Sequence, residues 1–193
     1  MMAAAPDDAA VTPPVARPVR WLGGPSSFGL MLPDASPTLS TMYAPRGVCI
    51  TDDAVIVADT GNHRILIWFG FPDADHQDAD VVIGQPDATS EGPKLFFLPT
   101  GLAVIDGNLV VCDAWHHRVL VFDGVPRHGG AQPVMVLGQD DLDGVTEGCG
   151  PQRFYWPFGI AMHDGTFWVA DTGNRRLLGW RNGIPDPDQP ADI

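Results

Sequence analysis

The residues that could do chemistry lie in three short polar segments. Each segment begins with an aspartate and ends with an arginine: Asp59 and Arg64, Asp113 and Arg118, and Asp171 and Arg176. A carboxylate beside a guanidinium can bind a ligand or take part in proton transfer. It can also form a charge-assisted hydrogen bond that holds a tight loop closed. Because the pair recurs in every segment, we interpret it as a structural turn brace and assign no catalytic residue.

Histidines in the same segments are weak candidates for a metal site. His63, His116 and His117 carry imidazole nitrogens, which are common zinc ligands. In the alternative interpretation, His63 and His117 occupy a repeated position beside the arginine and bind no metal. The acidic loops elsewhere lack the ligand spacing of an EF-hand calcium loop. We therefore expect no cofactor, while zinc or calcium stays open as the alternative.

The elements around these segments are apolar and repeat at long intervals. Each segment lies between two β-branched apolar runs; 54 positions separate Asp59 from Asp113, and 58 separate Asp113 from Asp171. Repeats of about 50 residues are typical of propellers, solenoids and arrays. The 22 glycines and 19 prolines among 193 residues are too many for a helix bundle. The pattern predicts an all-β fold.

Each repeat divides into four short predicted strands, A to D. Strand A is predicted at 45–50, 99–104 and 157–162, strand B at 54–58, 109–112 and 167–170, strand C at 64–69, 118–122 and 176–180, and strand D at 19–24, 81–85 and 134–139. Four antiparallel strands per repeat are the pattern of a propeller blade. We therefore expect a β-propeller of four-stranded antiparallel blades, with three blades in this chain.

The predicted domain organisation follows from these strands. Residues 1–18 are expected to be a disordered acidic and proline-containing tail, and residues 19–193 a propeller unit. The blades lie around 45–87, 99–141 and 157–193, and the strand at 19–24 completes a blade.

The repeated residues resemble the NHL repeat. The resemblance rests on Pro-x-Gly followed by an apolar residue, and on the run from Ala58 to Ile65; it covers 45–69, 99–122 and 157–180. Repeat two departs from the pattern with Trp115-His116 in place of Gly-Asn, and repeat three with Arg175 in place of histidine. The resemblance implies a six-bladed propeller, of which this chain would be half. Propellers similar to this family include a metal-dependent lyase and calcium-dependent lactonases, which imply an enzymatic alternative.

The number of strands leaves two arrangements open. The strand D at 19–24 has no blade of its own in front of it, while the third repeat reaches Ile193 before its own strand D. Two copies could close a six-bladed ring, each N-terminal strand completing a blade of a homodimeric partner. The alternative is that the chain is a truncated half of a longer propeller, without independent function.

The amino-acid composition argues against two classes of binding partner, nucleic acids and membranes. The formal net charge is −13, which argues against binding nucleic acid, because phosphates are held by basic patches. No secretory signal or membrane-spanning run is present, so we expect a cytoplasmic protein without a membrane partner.

The expected function is a scaffold that binds a protein or peptide through its loop face. The candidate ligand-binding residues are Trp115, His116, Arg175, Phe96 and Trp156. We expect Phe97, Tyr155 and Tyr43 to pack between blades instead. Because no complete catalytic constellation is visible, whether the chain is an enzyme stays open, with the scaffold favoured.

Overall fold

A computed structural model describes residues 18–24, 36–90, 92 and 94–193. Within these residues eleven strands run in chain order as β1 (Gly47–Ile50), β2 (Ala54–Asp59), β3 (Arg64–Phe69), β4 (Val81–Ile83), β5 (Pro99–Ile105), β6 (Asn108–Asp113), β7 (Arg118–Phe122), β8 (Met135–Leu137), β9 (Pro157–His163), β10 (Thr166–Asp171) and β11 (Arg176–Arg181). The expected tail at 1–18 lies outside the described residues except for Pro18, and so does part of the first connection, 25–35.

The strands form three antiparallel sheets in simple meander order. The first sheet is β1-β2-β3-β4, the second is β5-β6-β7-β8, and the third contains β9, β10 and β11. The all-β class and the blade-like sheets are therefore confirmed. We call the sheets blades one, two and three.

The described residues at 19–24, predicted as a strand D that completes a blade, join no sheet within this chain. In blade three, Asp192 and Ile193 begin to pair with β11. Gly179 accepts the backbone N–H groups of both residues at 2.8 and 3.2 Å, and donates its own N–H to the Ile193 carbonyl at 3.1 Å.

Tight turns connect the first two strands of blades two and three. Asp106 and Gly107 have φ values of 51° and 82°, and Asp164 and Gly165 have 48° and 69°. Two successive positive φ values are the backbone of a type I′ turn, which matches the twist of a hairpin and favours Asp-Gly. The sequence pattern thus sets the register of these hairpins locally.

The core lies between the blades. Ile56, Ile67 and Ile83 of blade one pack in one buried cluster with Leu109 and Phe122 of blade two. The opposite face of blade two supplies Val110, Cys112 and Val119 to a second cluster with Phe167 and Trp180 of blade three. Blade two is therefore apolar on both faces, as a sheet must be when it is covered on both sides.

The innermost strands of neighbouring blades approach closely at glycine. A β-carbon built on Gly101 would lie 2.8 Å from the Phe158 carbonyl oxygen and 3.0 Å from Gly159 Cα. The Thr60 hydroxyl also donates across blades to the Pro99 carbonyl at 2.7 Å. Pro-x-Gly at the start of strand A thus allows the backbones of adjacent blades to touch.

Within the described residues, the helical elements are short 3₁₀ turns. None of the helices there has the length and apolar character needed to cross a membrane.

Replacing Gly101 by alanine should destabilise the fold, because the new methyl group would meet backbone atoms of blade three. We expect a loss of about 1–3 kcal/mol, the usual cost of overpacking. The free energy of unfolding in urea measures it. Gly130→Ala is the control, since its β-carbon would have His128 Nδ1 as its nearest neighbour at 3.9 Å. Equal losses for the two variants would contradict the close approach of strands.

Candidate functional site

Three equivalent loops lie on one face of the blades. Each follows the second strand of its blade as a 3₁₀ turn, at Thr60–Asn62, Ala114–His116 and Thr172–Asn174. The next residue is left-handed in every copy, with φ of 55° at His63, 56° at His117 and 56° at Arg175. Because the strands alternate in direction, the connections between blades reach the same face. We call this side of the molecule the loop face.

An aspartate–arginine pair organises each loop. The Nε of Arg64 lies 2.7 Å from Asp59 Oδ2, and both side chains have 0% exposure. The pairs Arg118–Asp113 and Arg176–Asp171 have the same geometry at 2.8 Å. The other oxygen, Oδ1, accepts a backbone N–H from the segment before strand A; for Asp59 this is the N–H of Tyr43 at 2.6 Å. Each pair therefore forms through one guanidinium nitrogen rather than as a bidentate fork.

The remaining guanidinium nitrogens hold the long connections between blades. In blade one, Arg64 donates to the carbonyls of Thr38 at 2.7 Å, Thr41 at 2.9 Å and Ala88 at 2.6 Å. These acceptors belong to the connection before the blade and the connection after it. Arg118 likewise bonds to the Leu95 carbonyl before its blade and the Leu142 carbonyl after it. One buried arginine thus orders two connections of irregular backbone.

His116 takes part in its own brace. In blades one and three, Asn62 and Asn174 donate to the paired aspartate Oδ2 at 2.8 Å. His116 occupies the same position in blade two, and its Nδ1 lies 2.9 Å from Asp113 Oδ2. The residue predicted to contact a ligand therefore replaces an asparagine as the third member of the brace.

His63 and His117 join neighbouring blades. The backbone N–H of Leu98 donates to His63 Nδ1 at 3.1 Å, and that of Trp156 donates to His117 Nδ1 at 3.2 Å. A ring nitrogen that accepts a hydrogen bond carries no proton, so both imidazoles are neutral with the proton on Nε2. Burial lowers the pKa of both histidines from 6.5. Arg175, the residue at this position in blade three, is exposed, and a guanidinium has no acceptor.

The three histidines considered as metal ligands each use Nδ1 in a hydrogen bond within the protein. Across the part of the chain that the structure describes, no three His, Cys, Asp or Glu side chains are grouped so that they could hold a metal ion.

This repeated unit matches a known protein family. The family described as NHL repeat matches residues 42–68 and 98–122, which contain the loops and braces of blades one and two. The chain carries NHL repeats. A search of the curated proteins finds no match. The third NHL-like unit, predicted at 157–180, lies outside the matched residues and forms the same Asp171–Arg176 pair.

The second NHL loop has a tryptophan where the other two have glycine. Trp115 aligns with Gly61 and Gly173, and a β-carbon on Gly173 would lie 2.6 Å from Cγ of Tyr155. Blade two accommodates the larger residue with the Phe97 ring centroid 6.5 Å from the indole. Glycine is therefore the residue that fits the loops of blades one and three, and the tryptophan in blade two is a departure that the turn itself does not need.

Trp115 belongs to an aromatic cluster at the boundary of blades two and three. Its indole stacks on Trp156 with ring centroids 5.1 Å apart and an interplanar angle of 25°. Tyr155 lies 4.6 Å from Trp156, and Phe158 lies 6.0 Å from Trp115. All of the cluster's side chains are partly exposed: Phe97, Trp115, Tyr155, Trp156 and Phe158. We call this group the aromatic cluster.

The structure brings some of the predicted ligand-binding residues together and places the others elsewhere. Trp115 and Trp156 come together, and His116 lies beside them through Phe97, at a centroid distance of 5.6 Å. Phe96 was wrongly included, because its side chain is 0% exposed in the core between blades one and two. Arg175 is exposed in the loop of blade three.

Sequence reasoning also missed part of the surface. Phe158 was not predicted, although it occupies the variable position of Pro-x-Gly, which is Arg46 in blade one and Thr100 in blade two. Phe97 and Tyr155 were expected between blades and are partly exposed in the cluster, while Tyr43 is 50% exposed.

Removing the arginine of a brace should lower the free energy of unfolding most where the ion pair is least accessible to water. We expect Arg64→Ala to lose about 3–5 kcal/mol, because Asp59 stays buried without its partner. Arg176→Ala should lose less, since its side chain is 28% exposed and water can enter the space it leaves. Urea unfolding of both variants checks this order. The reverse order would show that burial does not govern the energy of the brace.

Acid should weaken the fold through His63 and His117. Both have a folded pKa below the unfolded value of 6.5, so the unfolded chain binds more protons. The free energy of unfolding should therefore be unaffected by these groups well above 6.5. It should fall as pH drops through that value, and level off below the folded pKa. Urea unfolding at a series of pH values measures the slope.

The matched control for this slope is the double variant His63→Asn and His117→Asn. Asparagine tolerates the left-handed conformation and its Oδ1 can accept the same N–H bond, but it does not titrate. The variant should flatten the pH dependence in this range. An unchanged slope would assign the acid sensitivity to other groups.

Proposed function

We propose that this chain is a propeller scaffold that binds a protein or peptide segment at the aromatic cluster of its loop face. The observation that carries the proposal is the stacked pair Trp115–Trp156, partly exposed and 5.1 Å apart. Trp and Tyr are enriched among residues that dominate binding energy, since they offer a large apolar area with few rotatable bonds. The proposal assigns no catalytic step and no metal to this face.

The departure of blade two from its neighbours supports this assignment. A residue retained for the loop fold would be glycine, as at Gly61 and Gly173. An indole at the same position adds exposed apolar surface and no hydrogen bond that the brace uses, because the brace is formed by Asp113, His116 and Arg118. A function on the surface is therefore a better explanation of Trp115 than stability.

The scaffold beneath the cluster is suited to binding because it is held in place before a ligand arrives. The N–H of Trp156 is bonded to His117, and the N–H of Phe97 to Asp113 Oδ1 at 2.7 Å. Trp115 donates its own N–H to the Phe97 carbonyl at 3.1 Å. Ordering these backbones in advance lowers the entropy that binding must overcome.

The ligand we propose is a segment with an apolar or aromatic anchor side chain. The aromatic faces supply the contact area, and His116 and the exposed Glu147 near His117 lie beside it as polar groups. Such a mixture of an apolar centre and a polar edge is typical of protein interfaces.

We also propose that the biological scaffold is a closed ring in which a second copy supplies three further blades. Six blades lie within the usual range of four to eight for propellers.

Trp115→Gly should remove binding and leave the protein folded, because it restores the residue of the other two loops. The lost stacking on Trp156 should lower the free energy of unfolding by only about 0.5–1.5 kcal/mol. Peptides selected from a random library on the immobilised wild-type chain are the probe. We expect their affinity for Trp115→Gly to fall about ten-fold or more, as for a residue at the centre of an interface. Fluorescence anisotropy of labelled peptides measures the dissociation constant, and urea unfolding verifies stability.

Phe71→Ser is the matched control for loss of an exposed aromatic residue. Phe71 is 65% exposed in the turn after β3, on the face opposite the loops. Its substitution should leave peptide affinity unchanged. Selected peptides that bind Trp115→Gly as tightly as the wild type, or that are lost with Phe71→Ser, would refute the aromatic cluster as the site.

A further inference from the structure

The segment from Trp21 to Gly24 lies where the fourth strand of a preceding blade would lie. Gly23 has φ of 106°, close to 94° at Gly84 and 91° at Gly138, which end the fourth strands of blades one and two. A β-carbon on Gly23 would meet the Met42 side chain, as one on Gly84 would meet that of Phe96. The three glycines therefore occupy equivalent positions in successive blades.

Contacts with blade one support the same alignment. His76 donates its backbone N–H to the Trp21 carbonyl at 2.8 Å. In blade two, the corresponding turn approaches Val82 of β4: a β-carbon on Gly129 would lie 2.8 Å from the Val82 carbonyl. Leu22 packs on the cluster that contains Leu66 and Trp68, as Ile83 packs on blade two. Trp21 and Leu22 are thus the counterparts of Val82 and Ile83.

Within the described residues, no third strand lies beside this segment, and β11 pairs with only the start of a fourth strand at Asp192 and Ile193. Leu177 on β11 is 63% exposed, whereas its counterparts Ile65 and Val119 are 0% exposed. Ile65 pairs with Ile83 and Val119 pairs with Leu137. Blade three therefore has an apolar strand edge whose pairing residue is not supplied within the described residues.

The first strand of blade one and the first strand of blade three also have a face that no neighbouring blade within the chain covers. Val48 and Ile50 of β1 are 62% and 64% exposed, while Leu102, the counterpart of Val48 in blade two, is 9% exposed. At the other end, a β-carbon on Gly159 would meet Ala170 Cβ at 3.7 Å and no other atom of the described residues within 4 Å, although one on Gly101 would touch the next blade. Each outer face thus has the residues of an interface between blades.

We propose that Trp21 and Leu22 of a second copy of this chain pair with β11, with Leu22 opposite Leu177 and Trp21 opposite Leu178. This register copies the pairs Ile83–Ile65 and Val82–Leu66 of blade one. The proposal rests on the closed ring proposed above and specifies its contacts. A second copy fits because its first blade presents the same kind of face that blades two and three present within one chain.

The symmetry of the arrangement follows from its geometry. The third blade of each copy meets the first blade of the other, so a two-fold axis relates two identical junctions. Both exposed edges are then paired at once, which removes the hazard of an open strand.

One residue must move for the strands to pair. Arg20 is the counterpart of Val81, which pairs with Ile67, and Ile193 already bonds to the equivalent residue, Gly179. Arg20 of the second copy and Ile193 therefore compete for one position. Deleting Asp192 and Ile193 should tighten the dimer, and a weaker dimer would overturn the proposed register.

The mass of the chain in solution is the first test. Light scattering should give twice the chain mass of 20.7 kDa at micromolar concentration. Leu177→Arg and Gly159→Ala should each return the protein to monomers, because Leu177 is exposed within its own chain and the methyl group added at Gly159 would point towards the second copy, with Ala170 of its own blade as its nearest described neighbour. Phe71→Arg, an equally exposed site away from the junction, is the control and should leave the dimer intact. A wild-type monomer would overturn the proposal.

Disulfide trapping tests the register. In a Cys49→Ala, Cys149→Ser background, Leu22→Cys combined with Leu177→Cys should give a covalent dimer under oxidising conditions. Leu22→Cys with Leu178→Cys should not, since adjacent strand residues point to opposite faces. This register would be overturned if the second pair gave a covalent dimer, or if neither pair did.

These results are separable from those for the aromatic cluster. Trp115→Gly should leave the mass of the dimer unchanged, and the peptide affinity of Leu177→Arg tests the cluster in the monomer. Failure of the dimer therefore leaves the binding site to be judged by its own measurements, and loss of the binding site leaves the register to be judged by disulfide trapping.

Discussion

The structure depends on a buried ion pair that is repeated in every blade. Asp59 and Arg64 are inaccessible to water, so each charge must be satisfied by the protein, and a buried charge without partners would be very unfavourable. The arginine meets this requirement with one carboxylate oxygen and three carbonyls from two connections. The aspartate meets it with the arginine, an asparagine and a backbone N–H. The loop is closed and the connections are ordered by the same requirement.

This pair explains how a chain so rich in glycine and proline has a defined surface. The connections contain little regular backbone, and their carbonyls would otherwise need water as a partner. A planar guanidinium offers five N–H donors in fixed directions, which suits several carbonyls at once. Since all three blades share this scaffold, the features that distinguish one blade from another lie in the residues of their loops. The clearest difference is Trp115, which lies in a loop that folds with glycine elsewhere.

The second constraint is that each blade is apolar on both faces. Within the chain this is resolved by stacking, since Val110 and Val111 point to opposite sides of blade two and both are buried. At the two outer faces the same composition leaves Val48, Ile50 and Leu177 exposed. A sheet with two apolar faces needs neighbours on both sides.

The sequence by itself determined the repeat, the strands and the brace. Spacing, Pro-x-Gly and the alternation of apolar runs with Asp-Gly turns are local signals, and the strands begin and end within a few residues of their predicted bounds. The pairing of Asp59 with Arg64 was also predictable, because a tight loop of only four residues, 60–63, separates them. Only the tertiary structure decided which side chains are buried and which residues of neighbouring blades contact one another. Phe96 and Phe97 are adjacent in sequence, yet one is buried and the other partly exposed, because successive residues point to different sides. The N–H bonds accepted by His63 and His117 come from residues 35 and 39 positions away, and no local pattern contains them.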